Sequence, residues 1–331
     1  MNNQSSITNH QSSIWASAPG SLMLLGEHAV LHGRRALVCA INKRITVSFS
    51  TIDKRILRIV SDLGSYEAPL GALADHPDFR FVLDAVKQYP LTQGIELKIE
   101  SEFSSDIGFG SSAAVTVATH AVLMHFPRSR TSATKIQAEN CRAGAVTPPF
   151  DKDELFKRSL ATIHRVQGRG SGADVAASVF GGVVAYRAAP FENPQGRPLE
   201  IVPLTGSFQL TAVYSGSKMK TADVIRYLEE RRALNADYFE KIFDRMDASV
   251  GEVIDDFSQL GRMLILNQKL MEEMGLCNAA LSEIIQEFRD LKVPAKISGS
   301  GLGDCAVGLS EIPKFGRFQT YNLQVDSRGV L

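Results

Sequence analysis

Asp106-Ile-Gly108-Phe-Gly110-Ser111-Ser112-Ala-Ala114 sets two glycines and two hydroxyls directly ahead of an apolar run that reads as a helix. Glycine lets the backbone curl so that successive N–H groups point inward. The helix N-terminus adds partial positive charge, so the segment reads as an anion cradle. Ser111 and Ser112 stand where they can cap that helix or reach a phosphate oxygen or Mg2+. No Gly-Lys-Ser/Thr follows, which excludes a Walker-type loop. A plain glycine loop with serine caps would contain the same residues.

Three further segments carry comparable chemistry. In Gly168-Arg-Gly170-Ser-Gly172-Ala-Asp174, small residues precede a carboxylate at the start of an apolar helix. Asp174 there is either a general base or a first-turn acid favoured by the helix dipole. Gly168-x-Gly170-x-x-Ala173 imitates a dinucleotide fingerprint, but it follows a helical stretch rather than a strand, and that reading is rejected. Gly26-Glu27-His28-Ala-Val-Leu-His32-Gly33 brings polar side chains between glycines, where they either meet a small ligand or close a turn by hydrogen bonds. A metal site on His28 and His32 would need a helix and a third ligand, and the bracketing glycines argue against it. Gly299-Ser300-Gly301-Leu-Gly-Asp304 is a second glycine-rich turn, either a tight loop between strands or one that closes over a ligand.

The elements that must hold these residues can be read from hydrophobic period and breakers. Residues 14–18 and 22–25 read as two short strands around a turn at Pro19-Gly20. Residues 36–50, 56–60, 95–100, 183–186 and 208–214 read as strands, and residues 78–88, 113–126, 152–165 and 173–179 as helices. Residues 221–289 read as three helical segments, and strands flank residues 298–304. Residues 127–150 lose apolar period and read as a surface excursion, with the character of a lid. Strands and helices that do not alternate strictly indicate an α+β chain. Pro190, Pro194 and Pro198 mark the expected domain boundary. The division is then a floppy tail over residues 1–13, an N-terminal domain over 14–188 and a C-terminal domain over 189–331.

The 331 residues are 44% hydrophobic and 22% charged, which excludes a largely disordered chain. Lys+Arg 36 against Asp+Glu 36 leaves no whole-molecule field for nucleic acid or an anionic membrane, so any anion site is local. The longest apolar-rich run is too short to span a bilayer, and residues 1–13 lack the pattern of a secretory signal. Cys39, Cys141, Cys277 and Cys305 are widely spaced, which fits reduced thiols in a cytoplasm.

Taken in this order, the four segments resemble the GHMP kinase superfamily, and within it the mevalonate kinases most. Gly26-Glu-His-Ala-Val-Leu-His-Gly33 followed by Ala36-Leu-Val-Cys-Ala-Ile-Asn-Lys-Arg44 carries the closer resemblance. It implies a two-domain α+β fold with ATP and a small-molecule alcohol, mevalonate, in the cleft between domains. Gly108, Gly110, Ser111 and Ser112 would hold the ATP phosphates, with Ser112 also at Mg2+, and Gly299, Ser300 and Gly301 would complete the ATP site. Asp174 would be the catalytic carboxylate, and Glu27, His28 and Thr221 would bind the substrate. A phosphomevalonate or sugar kinase, or a homologue that binds without turnover, is the alternative; a homodimer is compatible with the family.

Two positions depart from the family pattern. Ser21 stands where the family has a lysine after Pro-Gly, a loss that typically costs on the order of 10²–10³ in rate, about 3–4 kcal/mol. Lys43, Lys218 and Arg169 are the candidate replacements. Ile163, eleven residues before Asp174, stands where mevalonate kinases place a Mg2+-binding glutamate.

Overall fold

The structure, a computed structural model, describes residues 14–125, 151–168, 170–188 and 199–331. The expected tail, the excursion at 127–150, the proline-marked segment 190–198 and Arg169 lie outside these residues.

The chain begins with β1 (Ile14–Leu25), passes through a short 3-10 turn (Ala29–His32) and returns antiparallel as β2 (Ala36–Ile52). β1 was expected as two strands. It is one, with a register shift between Pro19 and Ser21. Pro19 has no N–H to give to a ladder, and a Cβ on Gly20 would lie 2.7 Å from the Phe109 carbonyl. The strand therefore bulges against the phosphate-loop segment instead of turning.

β3 (Ile56–Ser61) and β4 (Gly64–Pro69) form a hairpin, followed by α1 (Arg80–Lys87) and β5 (Gly94–Ser101). Helices α2 (Ser111–Met124), α3 (Lys152–Gln167) and α4 (Ala173–Phe180) lead to β6 (Val183–Arg187) and β7 (Glu200–Leu204). These strands make one seven-stranded sheet, ordered β4-β3-β5-β2-β6-β7 with β1 also on β2. α2 is buried from Ala113 to Ala114 and again from Thr116 to Leu123, as an apolar helix packed from all sides must be.

The first sheet does not stop at residue 188. β7 pairs antiparallel with β6, so the change of sheet falls between Leu204 and β8 (Gln209–Tyr214). Beyond it lie α5 (Thr221–Leu234), α6 (Ala236–Asp255), α7 (Leu260–Glu273) and α8 (Ala279–Asp290), four α-helices rather than three. The division comes from side-chain caps inside the run. Asn235 accepts from the Tyr238 N–H, and Asp256 accepts from the Ser258 N–H. β9 (Ala295–Ser298), β10 (Cys305–Gly308) and β11 (Gln319–Gln324) complete a second sheet, ordered β11-β8-β10-β9 and wholly antiparallel.

The last residues return to the first sheet. Leu331 and Ser17 exchange backbone hydrogen bonds at 2.8 and 2.9 Å, and Arg44 reaches Asp326 and the Gly329 carbonyl. Among the described residues no helix is long and apolar enough to cross a membrane.

Candidate active site

The β1 bulge, the N-terminus of α2, the N-terminus of α4 and the β9–β10 loop converge. Gly108 and Gly110 both hold positive φ, 75° and 66°. Gly110 is the residue before the first turn of α2, which contains no acidic side chain. Ser111 and Ser112 are half-buried. Their hydroxyls have no hydrogen-bond partner among the described residues, which leaves them available at the start of α2. The Ser21 N–H donates to the Phe109 carbonyl at 3.0 Å, which ties the bulge to this loop.

Asp174 stands in the first turn of α4, which is pinned to the bulge by Ser178 Oγ donating to the Pro19 carbonyl at 2.8 Å. Ser21 Oγ donates to Asp174 Oδ1 at 2.8 Å. A Cβ on Gly110 would sit 2.2 Å from Ser21 Oγ. The carboxylate thus lies one hydroxyl away from the glycine loop. Burial pushes the Asp174 carboxyl above the usual carboxylate range. The Ser21 hydrogen bond pulls it back, and the Glu27 charge adds to the rise.

Glu27 and His28 are present but engaged. The Glu27 carboxylate is ion-paired with Lys296 of β9 and also accepts from Asn267 Nδ2 of α7 at 3.0 Å. Glu27 is 3% exposed and Lys296 is 0% exposed. Burial pulls the Lys296 ammonium below the usual lysine range, and the Glu27 charge opposes that pull. His28 takes φ 60° and its Nε2–H donates to the Ser300 carbonyl at 2.8 Å. Burial lowers its pKa, which favours the neutral ring. Together these bonds clasp the turn after β1 to the β9–β10 loop.

Asp304 ends that loop with φ 59°. Its Oδ1 would lie 3.2 Å from a Cβ on Gly108, and Lys218 Nζ is 3.7 Å away. Lys218 also donates to the Ser105 carbonyl at 3.3 Å.

Residues 79–182 match the GHMP kinases N terminal domain, and residues 237–314 match the GHMP kinases C terminal family. Residues 5–51 match the galactokinase galactose-binding signature. A mevalonate kinase of Archaeoglobus fulgidus is 35% identical over 306 residues, covering 90% of this chain and 94% of that protein. The chain belongs to the GHMP kinase family. A mevalonate kinase of Saccharolobus solfataricus is 24% identical over 326 residues, 94% of each protein. The Methanococcus jannaschii mevalonate kinase structure superposes on this GHMP kinase with a TM-score of 0.76 over 96% of this chain and 99% of that one, at 19% identity. At that identity the likeness bears on the fold, which is two-domain α+β as the sequence indicated. As a GHMP kinase, the chain is an ATP-dependent phosphotransferase.

The structure of this GHMP kinase brings Gly108, Gly110, Ser111 and Ser112 to one helix start, with Asp174 beside them through Ser21. Gly299, Ser300 and Gly301 lie on the loop that His28 holds. Thr221 is not part of this cluster by any hydrogen bond among the described residues; it is the exposed first residue of α5. Ile163 is a 5% exposed core residue packed below Gly170 and offers no metal ligand. Of the candidate cations, Lys43 makes no hydrogen bond or ion pair among the described residues, and Lys218 reaches the loop. Sequence reasoning gave no role to Lys296, Asn267 or Asp304, although Asp304 lay within the late glycine-rich segment. A lysine within the apolar strand Ala295-Lys-Ile-Ser was the available signal, since a fully buried lysine needs a partner.

Proposed function

We propose that this chain transfers the terminal phosphoryl group of ATP to the primary hydroxyl of mevalonate. The observation that carries the reading is the 2.8 Å contact between the Ser21 hydroxyl and Asp174 at the edge of the glycine loop. In this reading the substrate alcohol lies against this carboxylate, next to the start of α2. Phosphoryl transfer asks the protein mainly to align an alcohol and neutralise phosphate oxygens, and these are the parts present.

In this reading the curled amides of Gly108 and Gly110 and the hydroxyls of Ser111 and Ser112 hold the triphosphate at the α2 N-terminus. Asp174 orients the substrate hydroxyl and takes its proton as the new O–P bond forms and the bond to ADP breaks. Its raised pKa suits that task, because a base closer to the operating pH accepts a proton in the transition state more readily. Among the described residues no lysine or arginine forms a hydrogen bond or ion pair with Asp174. Glu27 and His28 act from behind, Glu27 by its charge on Asp174 and His28 by fixing the late loop.

Among the described residues no group of three or more His, Cys, Asp or Glu side chains is arranged to hold a metal. In this reading Mg2+ would be carried mainly by phosphate oxygens and water, with the Ser112 hydroxyl as a protein ligand. Bound there, Mg2+ would neutralise charge on the transferring group. Reduced thiols at Cys39, Cys277 and Cys305, none of them in a disulfide, go with a cytoplasmic setting.

Mevalonate as acceptor is supported by the 35% identical Archaeoglobus protein. The galactose-binding signature over residues 5–51 favours a sugar as the second reading. ADP release by purified protein, measured over mevalonate, phosphomevalonate, galactose and homoserine, tests the choice. Turnover with mevalonate and little with the others is expected. Turnover confined to galactose would transfer the assignment to a sugar kinase.

A further inference from the structure

Two side-chain oxygens on the β9–β10 loop are buried without a hydrogen-bond partner among the described residues, Asp304 Oδ1 and Ser300 Oγ. Buried oxygens are nearly always paired, so an orphan of this kind marks a missing water or ion. Asp304 is the stronger case. It is 6% exposed, and its carboxyl lies against Gly108, whose Cβ would come within 3.2–3.3 Å of three of its atoms. The Lys218 ammonium stands 3.7 Å from Oδ1, beyond hydrogen-bond reach, and is itself bonded to the Ser105 carbonyl. The carboxylate and the ammonium therefore both border the phosphate loop, each incompletely satisfied by the other.

A carboxylate beside a triphosphate cradle is unfavourable unless a cation lies between them. Accepting the nucleotide reading above, we propose that Asp304 is the carboxylate through which this chain holds the divalent cation that accompanies ATP, with Lys218 neutralising it when no metal is present. Mg2+ prefers hard oxygen ligands and is commonly held by one or two carboxylates together with phosphate oxygens and water. Ser112 and Asp304 would supply the protein oxygens. This gives the chain a metal-directed acid despite the apolar Ile163.

The test is calorimetric titration of ADP into the full chain, once with EDTA and once with excess Mg2+. It is run for the wild type, Asp304→Asn and Lys218→Met. In the wild type Mg2+ strengthens ADP binding. In Asp304→Asn that strengthening falls by at least about tenfold, while metal-free ADP binds as well or better. In Lys218→Met the strengthening is kept or grows, because the carboxylate has lost its competing ammonium; this arm stands even if Asp304→Asn does not fold. An equal Mg2+ effect in wild type and Asp304→Asn, or a lost one in Lys218→Met, overturns the assignment. No ADP binding to the wild type under either condition would overturn the nucleotide reading itself, and this assignment with it.

Discussion

Ser21 Oγ donates to Asp174 Oδ1 at 2.8 Å, at the position where the family resemblance implies a lysine. The bond lowers the pKa of an acid that burial and the Glu27 charge raise. Proton affinity in this site is therefore raised first by burial and moderated by a neutral hydroxyl. The acid limb of kcat is expected above the ordinary carboxylate range. In Ser21→Ala the limb moves to still higher pH, because the hydrogen bond from Ser21 that favours the ionised form is gone. A pH–rate profile of the two proteins checks this; coincident limbs would separate Asp174 from the rate. Ser21→Lys is not expected to raise activity, because Ser21 is 1% exposed and its Oγ already fills the space beside Gly110.

Asp174→Asn keeps the acceptor oxygen for Ser21 and removes the base. The kcat should fall by about 10²–10⁴, with ADP affinity changed little. Stability should move the other way. The folded pKa of Asp174 lies above its ordinary 3.8, so its favourable contribution is complete below that value and is lost as pH rises through the folded pKa. At pH 7 the variant should melt higher than the wild type, with the advantage shrinking on acidification. Thermal unfolding across pH measures it.

Glu27, expected to bind substrate, is ion-paired in the interior with Lys296 of β9, so each charge offsets the other. Lys296→Met alone leaves a buried carboxylate uncompensated and should cost about 3–5 kcal/mol in urea unfolding. Lys296→Met combined with Glu27→Leu should recover much of that loss. Its kcat should stay impaired, because the Glu27 charge on Asp174 is also gone.

Gly110→Ala demands φ 66° of a residue with a Cβ, and that Cβ would strike Ser21 Oγ. ADP affinity should fall by about tenfold or more, given a cost of roughly 1–2 kcal/mol for the left-handed conformation alone. Ser21→Ala in the same chain should restore part of it by removing the struck atom, a coupling that a double-mutant cycle reads directly.

The glycine loop, the Asp174 helix and the late turn were legible because each has a local cause: positive-φ glycines, a helix start, a breaker between strands. The α+β class followed from the order of elements, and the resemblance supplied the kinase chemistry. What stayed hidden depends on contacts between residues far apart in the chain. Ser21 and Asp174 are 153 positions apart, and Glu27 and Lys296 are 269 apart. No local pattern reports that such side chains meet. β7 and β11 were missed for the same reason: their short mixed sequences become strands through partners found elsewhere, β6 and β8.

Phosphorus NMR of the product formed from ATP and mevalonate tests the central claim most directly. If Asp174 aims the primary hydroxyl at the terminal phosphorus, ADP appears together with a phosphomonoester whose phosphorus is split into a triplet by the adjacent CH2. A phosphomonoester without that splitting, or release of inorganic phosphate alone, would contradict the account.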